Sequence, residues 1–161
     1  MIIKELRDED FTNYRLPSMV IGFPSCTFKC EKECPDCKGM CQNSTLAKAP
    51  DINISIKSIV ERYKSNPITQ AVVFGGLEPF DSLSDLILLV QEFRVTYNMK
   101  DDIVIYTGYN KDEISNIIAV LKIYPNIIIK YGRYVPYQNP HYDEVLGINL
   151  ASDNQYAEKI S

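Results

Sequence analysis

Apolar residues along this chain fall into short blocks of two kinds. Four are nearly continuous runs: Ser18–Phe23, closed by Pro24; Gln70–Phe74, broken by Gly75-Gly76; Asp102–Tyr106, ending at Thr107-Gly108; and Asn126–Lys130. Apolar runs of this length bounded by turn residues predict strands buried on both faces. Three stretches between them space their apolar residues at helical intervals. Ile56, Ile59, Val60 and Tyr63 do so within 54–65, with Ser55 as candidate cap; Leu83, Leu86, Leu89, Val90 and Phe93 do so within 82–97. Residues 113–121 form the third, and Val145–Ile148 suggests a short final strand. Strand and helix therefore alternate, which predicts βαβ units and a largely parallel sheet in one α/β domain, residues 1–161.

In open parallel sheets, ligands bind beyond the carboxyl ends of the strands. Three unusual segments follow those ends: the loop from Cys26 to Cys41, Gly75-Gly76-Leu77-Glu78-Pro79, and Tyr106-Thr107-Gly108-Tyr109. The predicted topology brings all three to one rim.

Charge narrows the partners. With 17 basic and 21 acidic residues the formal net charge is -4, which argues against a nucleic-acid binder. No run reaches the ~18 apolar residues of a membrane helix, and the polar, acidic start does not resemble a signal peptide. A cytoplasmic protein is expected.

Cysteine usage changes the picture more. All five cysteines, at 26, 30, 34, 37 and 41, lie on one loop. Disulfide scaffolds spread their cysteines to close loops across a fold; five clustered thiols point to metal ligation or redox chemistry instead. Thiolates suit zinc, copper(I) and iron–sulfur clusters. Cys34-x2-Cys37 has no matching second pair, as structural zinc would want. Spacing alone ranks a cluster ahead of zinc, and zinc ahead of plain free thiols.

The surroundings of these cysteines resemble the radical S-adenosylmethionine (SAM) superfamily, whose hallmark is C-x3-C-x-Φ-C with Φ aromatic or apolar. Two registers compete. Cys30-x3-Cys34-x2-Cys37 has the strict spacing, but Asp36 stands at Φ. Cys26-x3-Cys30 with Cys41 starts at the strand end, places Met40 at Φ and puts Asn43 two residues after the third cysteine, where activating enzymes of the superfamily often carry asparagine. This second register, with a lengthened segment between Cys30 and Cys41, is favoured; it leaves the role of Cys34 and Cys37 open. Gly75-Gly76-Leu77-Glu78-Pro79 is similar to the superfamily's Gly-Gly-Glu-Pro motif, with Leu77 inserted, although a plain strand-to-helix turn would use the same residues. Ile105–Tyr109 and the tail from Gly132-Arg133-Tyr134 to Ser152-Asp153-Asn154-Gln155 resemble the activating protein of anaerobic ribonucleotide reductase.

That resemblance implies a compact, incomplete radical-SAM (β/α) barrel with about four or five strands. It implies a 4Fe–4S cluster on Cys26, Cys30 and Cys41, and SAM beside Met40, Asn43, Gly75, Gly76, Glu78 and Thr107. The cofactor carries the radical, so no side chain is assigned as catalytic. It further implies cleavage of SAM to form a glycyl radical on a partner, anaerobic ribonucleotide reductase, with flavodoxin or ferredoxin as electron donor. The alternatives are a radical SAM enzyme acting on a small molecule, and a non-catalytic zinc or iron–sulfur accessory module. His141 is expected in a surface or packing role, and the tyrosines at 131, 134, 137 and 142 in core and edge packing, with a docking surface as the alternative; Asp81, Asp85, Asp101 and Asp102 are expected to solvate helix ends and loops.

Overall fold

The computed structural model describes residues 1–34 and 37–161. In chain order the elements are β1 (Ile2–Ile3), β2 (Glu5–Asp10), β3 (Ser18–Phe23), α1 (Lys29–Lys32), α2 (Ser44–Lys48), β4 (Ile52–Asn53), α3 (Ile56–Ser65) and β5 (Ala71–Gly76). They continue with α4 (Leu83–Gln91), β6 (Asp102–Tyr106), α5 (Ser115–Leu121), β7 (Ile127–Tyr131), β8 (His141–Asp143), β9 (Ile148–Leu150) and β10 (Tyr156–Lys159).

The central sheet has the order β10-β7-β6-β5-β3-β2. Its four middle strands, β3, β5, β6 and β7, are the four apolar runs, and they pair in parallel. The edges β2 and β10 pair antiparallel to β3 and β7 and lie at opposite ends, so the sheet does not close. The main sheet thus has six strands among the described residues, more than the four or five expected. The two extra ones, Glu-Leu-Arg-Asp-Glu-Asp and Tyr-Ala-Glu-Lys, are edge strands whose polar character hides them from an apolar-run criterion.

Each middle strand turns alternate residues to opposite faces. One face packs Met19, Ile21, Phe74, Ile103, Ile105 and Ile129 against the helices through Ile59, Leu86, Leu89, Phe93, Ile118 and Leu121. The other face carries Val20, Val73, Val104 and Ile128, covered in part by Tyr14, Leu146 and Leu150. The expected strand at Val145–Ile148 begins only at Ile148 and pairs with β8 in a separate hairpin; Asp143 accepts amides of Val145 and Leu146 and folds them into a turn.

Helix α3 starts as expected, with the Ser55 hydroxyl accepting the Ser58 amide. The predicted helix over 82–97 is divided: a 3-10 turn at Pro79–Ser82, α4, then a π-helical turn at Glu92–Thr96. Leu83 is exposed rather than in the core. The π turn keeps Phe93 in the core while burying Arg94, whose guanidinium donates to the carbonyls of Met99, Asp101, Pro125 and Asn126. Helix α5 is likewise shorter than 113–121, following a 3-10 turn at Lys111–Ile114 capped by Asn110 and Glu113. Among the described residues no helix is long and apolar enough to cross a membrane.

Of the tyrosines expected in packing roles, Tyr131 is fully buried, but Tyr142 is exposed and Tyr137 is 89% exposed. Asp101 and Asp102 do more than solvate: they accept hydrogen bonds from the hydroxyls of Tyr63 and Tyr14, both at 2.8 Å.

Candidate functional site

At the carboxyl ends of the parallel strands, on the face away from the helices, lies a cavity of about 410 Å³. Its floor is the continuation of the strand pattern, Val20, Val73, Gly75, Tyr106 and Lys130; the cysteine loop forms its roof. Cys26, Cys30, Met40, Cys41, Asn43, Gly75, Gly76, Glu78 and Thr107 all line it. Residues from 26 to 107 therefore meet at one place, as parallel-strand topology predicts.

The five cysteines divide into two groups. Cys34 and Cys37 form a disulfide, whereas Cys26, Cys30 and Cys41 are free and partly buried. Asp36, at the Φ position of the alternative register, lies outside the described residues. Phe28 adopts a left-handed backbone (φ 54°), and its amide donates to the Cys26 sulfur at 3.2 Å. Cys30 sits in α1, and the Cys41 amide is held by the Glu31 carboxylate at 3.1 Å. Burial pushes the Cys26 thiol up to about 11; the Phe28 amide opposes this, and Glu78 and Asp81 add to it. Burial also raises Cys30, with Cys41 adding to the effect. Thiols held protonated in this way become ligands when a metal displaces the proton, which is released to solvent.

The glycines differ in role. Gly76 has φ +86°, and a Cβ there would stand 2.5 Å from the Gly22 Cα, so only glycine allows β5 to lie against β3 at this point. Gly75 meets nothing closer than 3.8 Å and simply leaves room over the cavity floor. The Asn43 side-chain amide donates to the Gly76 carbonyl at 2.6 Å, tying the end of the cysteine loop to the glycine turn. That carbonyl keeps one lone pair for a further donor.

Glu78 is buried, and its carboxylate accepts the Thr107 hydroxyl (2.8 Å), the Gly108 amide (2.8 Å) and the Phe80 amide (3.2 Å). Burial nevertheless pushes its carboxyl up to about 7, the three donors working the other way. Thr107 thus serves Glu78. The inserted Leu77 continues the strand, its amide reaching the Phe23 carbonyl, and the Glu78 amide reaches that of Ser25.

Two features escaped the sequence reading. Lys130 is 6% exposed, donates to the Gly132 carbonyl at 3.1 Å, and is lowered to about 8 by burial, with Glu78 opposing. Its signal was a charged residue inside the run Ile127-Ile128-Ile129-Lys130-Tyr131, where a lysine must be paired or face a cavity. Asp81, expected only to solvate a helix end, accepts the Thr27 amide and the Tyr109 hydroxyl, each at 2.6 Å. Both of its partners are remote in sequence, so no local pattern announces them.

Farther out, Arg133 forks onto both oxygens of Glu113 at 2.7 Å, and Lys29 reaches the same carboxylate at 3.3 Å. Arg133, chiefly, depresses Glu113 to about 2. The tail motif holds Arg133 in place: Asn154 donates to the Arg133 carbonyl at 2.8 Å and Gln155 to that of Gly132 at 3.3 Å.

Among the described residues, no three His, Cys, Asp or Glu side chains converge closely enough to hold a single metal ion. A single zinc would need its thiolates each at ~2.3 Å. A cluster places its thiolates on separate irons and tolerates ligands farther apart. Three free thiols around a cavity, with a fourth side left open, fit such a cluster. The family model of the 4Fe-4S single cluster domain matches residues 20–155, and the chain belongs to that family. No curated protein and no solved structure matches the chain.

Proposed function

We propose that this 4Fe–4S single cluster domain is a radical SAM activase: it reductively cleaves SAM and generates a glycyl radical on a partner enzyme, anaerobic ribonucleotide reductase. The observation that carries this reading is the convergence of Cys26, Cys30, Cys41, Asn43, Gly75, Gly76, Glu78 and Thr107 on one cavity at the open side of the sheet.

In this reading Cys26, Cys30 and Cys41 would hold the cluster beside the cavity. Bound there, the cluster would supply the single electron, drawn from a flavodoxin or ferredoxin, for reductive cleavage of SAM. The chain does the binding. Gly75 and Gly76 let the ligand approach the main chain, and the second lone pair of the Gly76 carbonyl accepts a donor from the methionine ammonium. Lys130, buried with a single carbonyl acceptor among the described residues, supplies the positive charge for the methionine carboxylate. Burial outweighs the opposing pull of Glu78 on the Lys130 ammonium, so an anionic ligand group is stabilised there. Met40 and Tyr134 add apolar wall.

The unclosed sheet favours a protein substrate over a small molecule. Small ligands bury most of their surface in a formed pocket, and a cavity of about 410 Å³ is largely taken by SAM itself. An open side suits a protein surface that covers the site on docking.

The test is to mix anaerobically reduced, cluster-loaded protein with SAM and the reductase and record an electron paramagnetic resonance spectrum. A glycyl-radical doublet on the reductase is expected. Cleavage of SAM without that doublet would point to a small-molecule substrate, and a colourless protein with stoichiometric zinc to an accessory module.

A further inference from the structure

We infer that the Tyr109–Asp81 pair is a positioning device for the ligand Cys26: it fixes the Thr27–Phe28 backbone so that the Phe28 amide donates to the Cys26 sulfur, and so raises the reduction potential of the cluster. The inference rests on Cys26 being a cluster ligand, and not on the identity of the substrate.

Three consecutive odd positions of the cysteine loop are fixed from the rim. The Ser25 carbonyl accepts the Glu78 amide at 2.9 Å, and the Thr27 amide donates to Asp81 at 2.6 Å. The Lys29 ammonium lies 4.7 Å from the centre of the Tyr109 ring. Between them, Phe28 is held in a left-handed conformation (φ 54°) that a bulky L-residue seldom adopts unaided. That conformation is held on its carboxyl side by the Glu31 and Lys32 amides, which donate to the Phe28 carbonyl at 3.1 Å, and on its amino side, among the described residues, by the Thr27 amide on Asp81.

Asp81 is in turn aimed by Tyr109. Its second oxygen accepts the Tyr109 hydroxyl at 2.6 Å, and the Tyr109 amide is anchored on the Thr107 hydroxyl at 3.0 Å. The consequence of the left-handed turn is the contact at 3.2 Å from the Phe28 amide to the Cys26 sulfur. A hydrogen bond to a ligand sulfur stabilises the more negative, reduced state of a cluster, and such bonds are a recognised determinant of cluster potential. Tyr109 touches neither thiol of the pair Cys26 and Cys30 by any hydrogen bond among the described residues; it acts through Asp81, as a positioning residue.

The experiment compares wild-type, Tyr109→Phe, Tyr63→Phe and Cys26→Ser proteins after anaerobic reconstitution. Tyr109→Phe keeps the ring and its packing, removes one hydroxyl and changes no charge. Tyr63→Phe makes the same chemical change in a Tyr–Asp pair at the far end of the sheet. Potentials are read by redox titration of the reduced-cluster signal, and backbone ordering by amide hydrogen exchange over residues 25–30. Tyr109→Phe should retain the cluster, shift its midpoint to a more negative potential, and exchange about tenfold faster in that segment, as expected for loss of one hydrogen bond to a charged group. Tyr63→Phe should leave both readings unmoved. An unchanged potential in cluster-loaded Tyr109→Phe overturns the inference, and so does an equal shift in Tyr63→Phe. A cluster retained by Cys26→Ser defeats the ligand assignment itself, an outcome separate from either.

Discussion

The two ends of the parallel sheet use the same kinds of residue to opposite effect. At the amino ends of the strands lies buried Arg94, which donates to four main-chain carbonyls. Around it, Tyr63 and Tyr14 satisfy Asp101 and Asp102. The Arg94 guanidinium and both tyrosine hydroxyls are spent on the protein itself. At the carboxyl ends lies Lys130, as deeply buried, which donates to one carbonyl and faces a cavity. Nearby Glu78 is held above the ordinary carboxylate range by burial. The first end is complete; the second has unused capacity for a ligand. Burial of charge alone thus does not mark a site. What marks it is burial of charge with its hydrogen bonding unfinished.

The largest effect expected from breaking this contrast is at the roof of the open end. Serine at Cys26, Cys30 or Cys41 should abolish the iron–sulfur absorbance after anaerobic reconstitution, whereas serine at Cys34 or Cys37 should leave it. The reverse pattern would move the cluster to the Cys30, Cys34, Cys37 register.

Next in size is the glycine pair. Gly76→Val adds a clash with the Gly22 backbone to an unfavourable left-handed φ, and should cost about 4 kcal/mol in chemical denaturation. Gly75→Val should fold nearly as well yet bind SAM at least tenfold more weakly by calorimetry, because its side chain enters space above the cavity floor.

The two buried cations sharpen the comparison directly. Arg94→Met removes a buried guanidinium that bonds the carbonyls of Met99, Asp101, Pro125 and Asn126, the last of which keeps the Ile103 amide, and should cost about 3 kcal/mol, with SAM affinity unchanged. Lys130→Met removes a poorly compensated ammonium, so thermal stability should hold or rise while SAM affinity falls. Equal destabilisation by the two variants would show that Lys130 is structural.

The smallest effect is in pH dependence. Glu78 is raised to about 7 from an unfolded value near 4.5, so the folded state binds more protons between those limits. Stability should therefore fall as pH rises from about 4.5 to about 7, by roughly 3 kcal/mol. Glu78→Gln should flatten that part of a denaturation series. A wild-type curve already flat over this range would place the Glu78 titration elsewhere.

How much of this was legible beforehand depends on the range of the interaction. The four parallel strands were visible as apolar runs, and they appear within one or two residues of their expected ends, because burial on both faces demands continuous apolar sequence. The Ser55 cap is local chemistry and was equally readable. The polar edge strands were not, since β2 and β10 owe their pairing to β3 and β7 rather than to their own composition.

The sequence by itself determined the parallel core, the placing of three loops at one end of it and the supply of thiols there, because periodicity and residue chemistry are properties of short segments. Tertiary structure alone decided the rest. It paired Cys34 with Cys37 and left three thiols free, turned Lys130 toward a cavity, and spent Thr107 and Gly108 on Glu78. It also set Asp81 between Thr27 and Tyr109, residues 54 and 28 positions away. Each of these depends on which groups burial brings within hydrogen-bonding distance, and that is a property of the packed chain, not of any stretch of it.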